Sequence, residues 1–267
     1  MKESIKMRLD LFILNQKLVS SREKAKEQIL NGEVLVNGNI INKPAFKASI
    51  EDDIVITKTI KYVSRGGVKL EKALKVFDIN PLNSTALDVG ASTGGFTDCL
   101  LQHGSSKIFA LDVGSDQLDL SLVNNEKVIN LEKTHIKELS KTLVSKDKID
   151  IVTIDVSFIS VRKAIPYIVP YITEDTDIIC LLKPQFEIGK TNKGIVRSIK
   201  EHEKVVYDNI AYMESLGFGV LGFDFSPILG SKGNIEFLLY LKRDNESLLI
   251  NYKEIIINSH KIFKGRC

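Results

Sequence analysis

A mostly apolar run, Ala86-Leu87-Asp88-Val89, passes directly into Gly90-Ala91-Ser92-Thr93-Gly94-Gly95, and a helix-compatible segment, residues 96–103, follows without a break. Strand, small-residue loop, helix, in that order, is how an open α/β sheet turns backbone N–H groups toward a nucleotide-like ligand. The glycines let the turn close and are expected to keep Cβ atoms out of the ligand's way. The spacing is Gly90-x-x-x-Gly94-Gly95 rather than G-x-G-x-x-G, so the pyrophosphate fingerprint of dinucleotide enzymes is missing. A cofactor without a pyrophosphate fits this loop better, and a nicotinamide dehydrogenase becomes a distant reading.

Beyond residue 65 the pattern alternates. Strands are expected at 86–89, 108–112, 128–131, 149–155, 177–182, 220–225 and 236–241. Helices are expected at 67–77, 96–102, 117–122, 136–144, 160–168 and 200–217. Such alternation argues for an α/β domain, a mostly parallel sheet with helices on both faces. Only the loop 226–235 joins the last two strands, which is too short for a parallel crossover, so they are expected to pair antiparallel. Residues 244–267 read as a C-terminal tail, an amphipathic helix with a loose end.

The first 60 residues read as a separate small α+β module. Leu9, Phe12 and Ile13 give a helical spacing over residues 8–16. Ser20 and Glu23 offer a capping box for a second helix that ends at Asn31-Gly32. Val34-Leu35-Val36 then meets Asn37-Gly38, a strong hairpin signal, with Ile40-Ile41 returning and Ile54-Val55-Ile56 as a third strand. Residues 57–65 read as a linker.

Charge separates the two parts. Residues 1–75 hold 15 Lys and Arg against 9 Asp and Glu, whereas the rest holds 22 against 25. A basic N-terminal part beside a mildly acidic body suggests a polyanionic partner at that end. Three cysteines without a CxxC pair fit a reducing compartment, and four scattered histidines without HExxH make a metal site unexpected. The N-terminus alternates charged and apolar residues rather than forming a signal-peptide core, and the longest apolar runs are too short to span a bilayer. A cytoplasmic protein is expected.

Several charged residues stand where apolar strands stop. Ala110-Leu111-Asp112-Val113 places an acid about twenty residues past the glycine loop, where it can hold ribose hydroxyls or instead cap a helix. Asp88 can accept from a cofactor amino group or from loop N–H groups. Ile154-Asp155, Leu182-Lys183 and Glu236-Phe237 put two acids and a lysine at the edge of the crevice where open α/β sheets bind ligands. A buried Asp155–Lys183 ion pair is the purely structural reading. Lys69 follows Ser64-Arg65-Gly66-Gly67 and is expected to be carried inward by the next helix.

Arg8-Leu9-Asp10, Ser21-Arg22-Glu23-Lys24-Ala25 and Gly32-Glu33-Val34-Leu35-Val36-Asn37-Gly38 together resemble the S4 RNA-binding domain. That resemblance implies Arg8, Arg22, Lys24 and Lys26 as RNA contacts. A parallel sheet ending in an antiparallel hairpin resembles the class I (Rossmann-like) methyltransferase fold. Ser64-Arg65-Gly66-Gly67, residues 87–101, Asp155-Val156-Ser157-Phe158-Ile159-Ser160, Lys183-Pro184-Gln185-Phe186-Glu187 and Gly233-Asn234-Ile235-Glu236-Phe237 extend the likeness. Over residues 7–243 the chain closely resembles the TlyA-type ribosomal RNA 2′-O-methyltransferases, historically labelled haemolysins, with an FtsJ-like catalytic domain at 61–243.

The resemblance implies S-adenosylmethionine as cofactor, held by Asp88, Gly90, Ser92, Gly94, Gly95, Phe96, Asp112, Val113 and Glu132. It implies a catalytic tetrad of Lys69, Asp155, Lys183 and Glu236, and adds Arg65 to the RNA contacts. His135 and Lys137 stand where the family usually shows Asn and Arg. The expected substrate is a cytidine ribose in ribosomal RNA or a ribosomal subunit. A ribose hydroxyl is a poor nucleophile, so the work lies in alignment and proton removal. Lysine acts as a base only in its neutral form, which a cation such as Lys69 favours and the carboxylates Asp155 and Glu236 oppose. Lys183 is therefore read either as a base or as an orienting group. The rival functions are a pore-forming haemolysin and a non-catalytic RNA-binding assembly factor.

Overall fold

The computed structural model describes residues 6–30, 32–56, 61–142, 144, 147–188 and 194–264. The chain divides into two compact units, Met1–Lys61 and Tyr62–Cys267.

The first unit packs two helices on short strands. β1 (Met7–Arg8) leads into α1 (Leu9–Asn15), followed by α2 (Arg22–Leu30), β2 (Val34–Val36), β3 (Asn39–Ile40), β4 (Lys47–Ala48) and β5 (Ile54–Ile56). β2 lies between β3 and β5, and β1 pairs with β4. Asn37 and Gly38 both adopt positive φ, as the two-residue hairpin turn requires. Leu9, Ile13, Ala25, Ile29, Val34 and Val36 form its core. The cap of α2 is Ser21 rather than Ser20: Ser21 Oγ accepts from Lys24 N at 3.2 Å, so a single cap bond stands in place of the expected Ser20–Glu23 box.

The second unit is α/β. Its elements run α3 (Gly66–Val76), β6 (Thr85–Val89), α4 (Gly95–Gln102), β7 (Lys107–Leu111), α5 (Leu120–Val123), β8 (Val128–Leu131), β9 (Ile151–Ile154), α6 (Val161–Ile168), β10 (Asp177–Leu182), α7 (Pro184–Glu187), α8 (Ile199–Ser215), β11 (Phe218–Phe225), β12 (Phe237–Arg243) and α9 (Tyr252–Ile262). The seven strands order as β11-β12-β10-β9-β6-β7-β8. β12 is antiparallel to both neighbours, and the remaining pairings are parallel. After their first residue β6 and β10 are buried on both faces, because helices cover the sheet on each side.

Four expectations shift. The helix expected at 117–122 is only α5, because Asp119 caps it through Ser121 N at 3.0 Å while Asp116 N is tied to Glu132. The helix expected at 136–144 is a 3₁₀ turn, Ile136–Lys141, closed by an extended Thr142. Of the linker, residues 57–60 lie outside the described residues, and Tyr62 is a 2% exposed core residue of the second unit. The tail is not loose up to residue 264: α9 contributes Ile256 to the main core, beside Phe263.

Candidate active site

Six neighbouring strands each deliver one predicted site residue at the same end of the sheet. Lys183, Asp155, Gly90, Asp112 and Glu132 are the first residues after β10, β9, β6, β7 and β8. Glu236 immediately precedes β12, which runs the other way and so starts at that end. The carboxyl ends of parallel strands are where this architecture binds ligands.

Two ion pairs occupy one side. Lys183 Nζ sits 2.6 Å from Asp155 Oδ1 and donates to Ser157 Oγ at 2.9 Å. Lys69 Nζ, carried by α3, donates to Glu236 Oε2 at 2.6 Å. Lys69 and Lys183 are each 9% exposed and Glu236 3%. α3 reaches inward because Gly67 lies against the Tyr62 ring, where a Cβ would come within 2.3 Å of it. Gly230 similarly makes room for the second Glu236 oxygen, 2.3 Å from where its Cβ would be. Desolvating two such pairs costs energy that an apolar core would not, so they point to chemistry rather than stability.

Beside Asp155 opens a cavity of about 610 Å³, lined by Gly90, Ser92, Asp112, Val113 and His135 and by the Asp155–Ile159 loop. That volume suits a nucleoside-sized ligand. Asp112 does not cap a helix: its carboxylate accepts from Ser92 N at 2.8 Å and Gly114 N at 2.7 Å, tying the two loops that flank the cavity. Glu132 accepts from Asp116 N at 2.6 Å and from the Asn130 amide, contacts that hold it below the ordinary carboxylate range. It lines a smaller recess with Asp112 and Asn130 rather than the main cavity. His135 lines the cavity and caps the 3₁₀ turn, its Nδ1 accepting from Lys137 N at 3.1 Å.

Four expected cofactor contacts, Asp88, Gly94, Gly95 and Phe96, are not among the residues that line this cavity. Asp88 is fully buried and accepts from Thr97 Oγ1 at 2.7 Å and Thr153 Oγ1 at 2.8 Å, bracing β6 against α4 and β9. Burial, the largest effect on it, pushes its pKa up to about 6. A Cβ on Gly94 would come within 2.3 Å of Leu122, and one on Gly95 within 2.3 Å of Ser64 Oγ. At both glycines a side chain would collide with neighbouring protein atoms. Phe96 is 3% exposed and belongs to the core between α3 and α4. Even Gly90, at φ +87°, is required by protein: its Cβ would meet the Asp155 carbonyl oxygen at 2.7 Å.

In the first unit, Arg8 and Arg22 converge on Asp10, at 2.9 Å and 3.0 Å. Asp10 is fully buried, and the Arg8 hydrogen bond, followed by that of Arg22, holds its pKa at about 2. Asp10 was not a predicted site residue; an acid two positions from one arginine and twelve from another was the available signal. Lys24 Nζ donates to Ser20 Oγ, and Lys26 lies on the half-buried side of α2. Arg65 donates to the Leu229 carbonyl at 3.1 Å, pinning the loop that shelters Glu236. Phe158 also went unpredicted: it is 87% exposed beside the cavity, at φ +68°, with its ring 5.4 Å from that of Phe186.

No helix among the described residues is long and apolar enough to cross a membrane. Among them, no group of three or more His, Cys, Asp or Glu side chains could hold a metal ion.

Comparison with known proteins agrees with this geometry. The FtsJ-like methyltransferase model matches residues 62–243, and the S4 domain model matches residues 7–54. The chain is 42% identical to Hemolysin A of Brachyspira hyodysenteriae, over 88% of this chain and 99% of that protein. It is 36% identical to the 16S/23S rRNA (cytidine-2′-O)-methyltransferase TlyA of Mycobacterium tuberculosis, over 91% of this chain and 92% of that protein. A solved Streptococcus thermophilus structure bearing a hemolysin name superposes with a TM-score of 0.77 at 38% identity, covering 97% of each chain. With both units matched, the chain belongs to the FtsJ-like methyltransferases that carry an N-terminal S4 domain.

Proposed function

We propose that this protein methylates a ribose 2′-hydroxyl in ribosomal RNA, using S-adenosylmethionine. The observation that carries the reading is the pair of buried lysine–carboxylate contacts beside a 610 Å³ cavity. A cytidine target follows the name of the Mycobacterium tuberculosis relative, and an enzyme acting on ribosomal RNA works in the cytoplasm.

The residues present fit the cofactor. Gly90 and Ser92 line the cavity at the turn, the Asp112 carboxylate is held at its edge, and Val113 and His135 line it too. Bound there, S-adenosylmethionine supplies an electrophilic methyl group on a sulfonium. Lys183 spends contacts on Asp155 and Ser157, which leaves a further N–H to donate to the substrate oxygen. Its role is then to orient that oxygen in line with the methyl carbon. As the O–C bond forms, the hydroxyl proton passes late to the Asp155 carboxylate, because the Lys183 ammonium has no lone pair to accept it. Lys69, locked on Glu236, fixes the ribose and its phosphate. Phe158 offers an exposed aromatic face to the target base, a common way to hold an unstacked nucleotide. Arg8 and Arg22, with Lys24 and Lys26, contact RNA phosphates through the first unit.

Purified protein incubated with methyl-labelled S-adenosylmethionine and ribosomal subunits, followed by nucleoside analysis, tests this reading. Labelled 2′-O-methylcytidine is expected. Label on a base, or in no RNA at all, contradicts it.

A further inference from the structure

The loop after β9 carries Asp155 and Ser157 to Lys183, and Phe158 to the mouth of the cavity. Little in the loop itself holds it there. Phe158 adopts φ +68°, a region that bulky side chains avoid, and at 87% exposure no burial holds it in place. Such a conformation persists only where the surroundings over-determine it.

The surroundings do so through one carboxylate. Glu187 closes α7, the turn that begins one residue after Lys183. Its side chain is only 1% exposed. Oε2 accepts from Ser160 Oγ at 2.5 Å, and Oε1 accepts from Val161 N at 2.8 Å, the first N–H of α6. Arg162 Nε stands 3.7 Å from Oε2, and Arg162 Nη2 donates to the Glu187 carbonyl at 3.5 Å. The Phe158 and Phe186 rings meet between these anchor points. A carboxylate is well suited to a helix N-terminus, where N–H groups lack partners and the dipole is positive. Here, however, the helix start belongs to one catalytic loop and the carboxylate to the other.

We propose that Glu187 is a positioning residue for methyl transfer, clamping the loop that carries Ser157 and Phe158 to the turn that carries Lys183. The proposal rests on the methyltransferase reading of the site. Glu187 touches neither substrate nor cofactor. It acts through the Lys183–Ser157 contact and the Phe158–Phe186 contact, which fail together when the loop swings.

A double-mutant cycle on kcat separates this role from simple support of the fold. Ser157→Ala is expected to lower kcat about tenfold in the native background, but less than about twofold once Glu187→Ala is present. Glu187→Gln keeps an oxygen for the α6 N–H and is expected to recover kcat to within about threefold of the native enzyme. Additive losses from Ser157→Ala and Glu187→Ala, with equal damage in Glu187→Gln, overturn the proposal. If Glu187→Ala does not fold, Ser160→Ala takes its place in the same cycle. Hydrogen–deuterium exchange reads the clamp without the reaction: exchange over residues 156–162 rises in Glu187→Ala while α8 stays protected. Unchanged exchange overturns the clamp even if the native protein transfers no methyl group, an outcome that by itself would count only against the methyltransferase reading.

Discussion

Both units set cations on carboxylates, but only the second unit buries the cations as well. In the first unit the acid is hidden: Asp10 is fully buried, while the Arg8 and Arg22 side chains remain 38% and 41% exposed. In the second unit the cations are hidden too: the Lys69 and Lys183 side chains are each 11% exposed. On the proposed function, the difference is one between recognition and chemistry. A guanidinium has five N–H donors, so one buried acid can aim it and still leave donors for phosphate. A buried lysine on a carboxylate has few donors left and little water to compete with, which suits the placing of a single oxygen.

The comparison breaks or sharpens at four points. The largest effect is expected on removing one buried partner. Glu236→Gln leaves Lys69 desolvated without a counter-charge and is expected to cost about 3–5 kcal/mol of stability by denaturant titration. Replacing both Lys69 and Glu236 with apolar residues of similar volume is expected to cost less than either single change, although activity is lost.

A comparable effect comes from Asp88. Its pKa of about 6 lies above the ordinary value of 3.8 because the side chain is buried. The folded protein therefore holds a proton that the unfolded chain releases between about pH 4 and 6. Stability contributed by that proton is present at the acid end and lost as pH rises to about 6. Relative to Asp88→Asn, the native protein is expected to lose about 3 kcal/mol across this window, two pKa units at about 1.4 kcal/mol each. Thermal unfolding of both proteins at pH 4.5 and 7 checks the sign, and parallel curves sink the assignment.

Smaller effects belong to the exposed arginines. Arg22→Ala is expected to weaken RNA binding about tenfold and to reduce the slope of log affinity against log salt by about one, leaving cofactor affinity unchanged. Asp10→Asn is expected to cost about 1–2 kcal/mol, below the Glu236 effect, because the released arginines can hydrate. A larger cost for Asp10→Asn than for Glu236→Gln would reverse the comparison.

What the sequence disclosed follows the same physical divide. Asp155, Lys183 and Glu236 stood out because a charge at the end of an apolar strand has few explanations besides a site. Lys69 did not stand out by pattern, since a lysine on an amphipathic helix reads as surface; only the family resemblance singled it out. The protein partners of Asp88, Thr97 and Thr153, lie 9 and 65 residues away and become visible only when β6 sits beside β9. Gly94 and Gly95 stood out as small residues in the loop, but that Leu122 and Ser64 also require them became visible only in the folded packing. The helix at α5 shrank because Asp119 competes for the backbone locally, an effect that apolar spacing does not register.

The central claim is that Lys183 aligns a ribose hydroxyl for methyl transfer. It is tested most directly by comparing the native enzyme with Lys183→Ala on ribosomal subunits, reading 2′-O-methyl nucleoside formed per minute and S-adenosylhomocysteine affinity in parallel. The expected result is a loss of about a thousandfold or more in rate with cofactor affinity within about threefold of native, as for removal of a group that acts only in the transition state. Full 2′-O-methylation by Lys183→Ala would contradict the account.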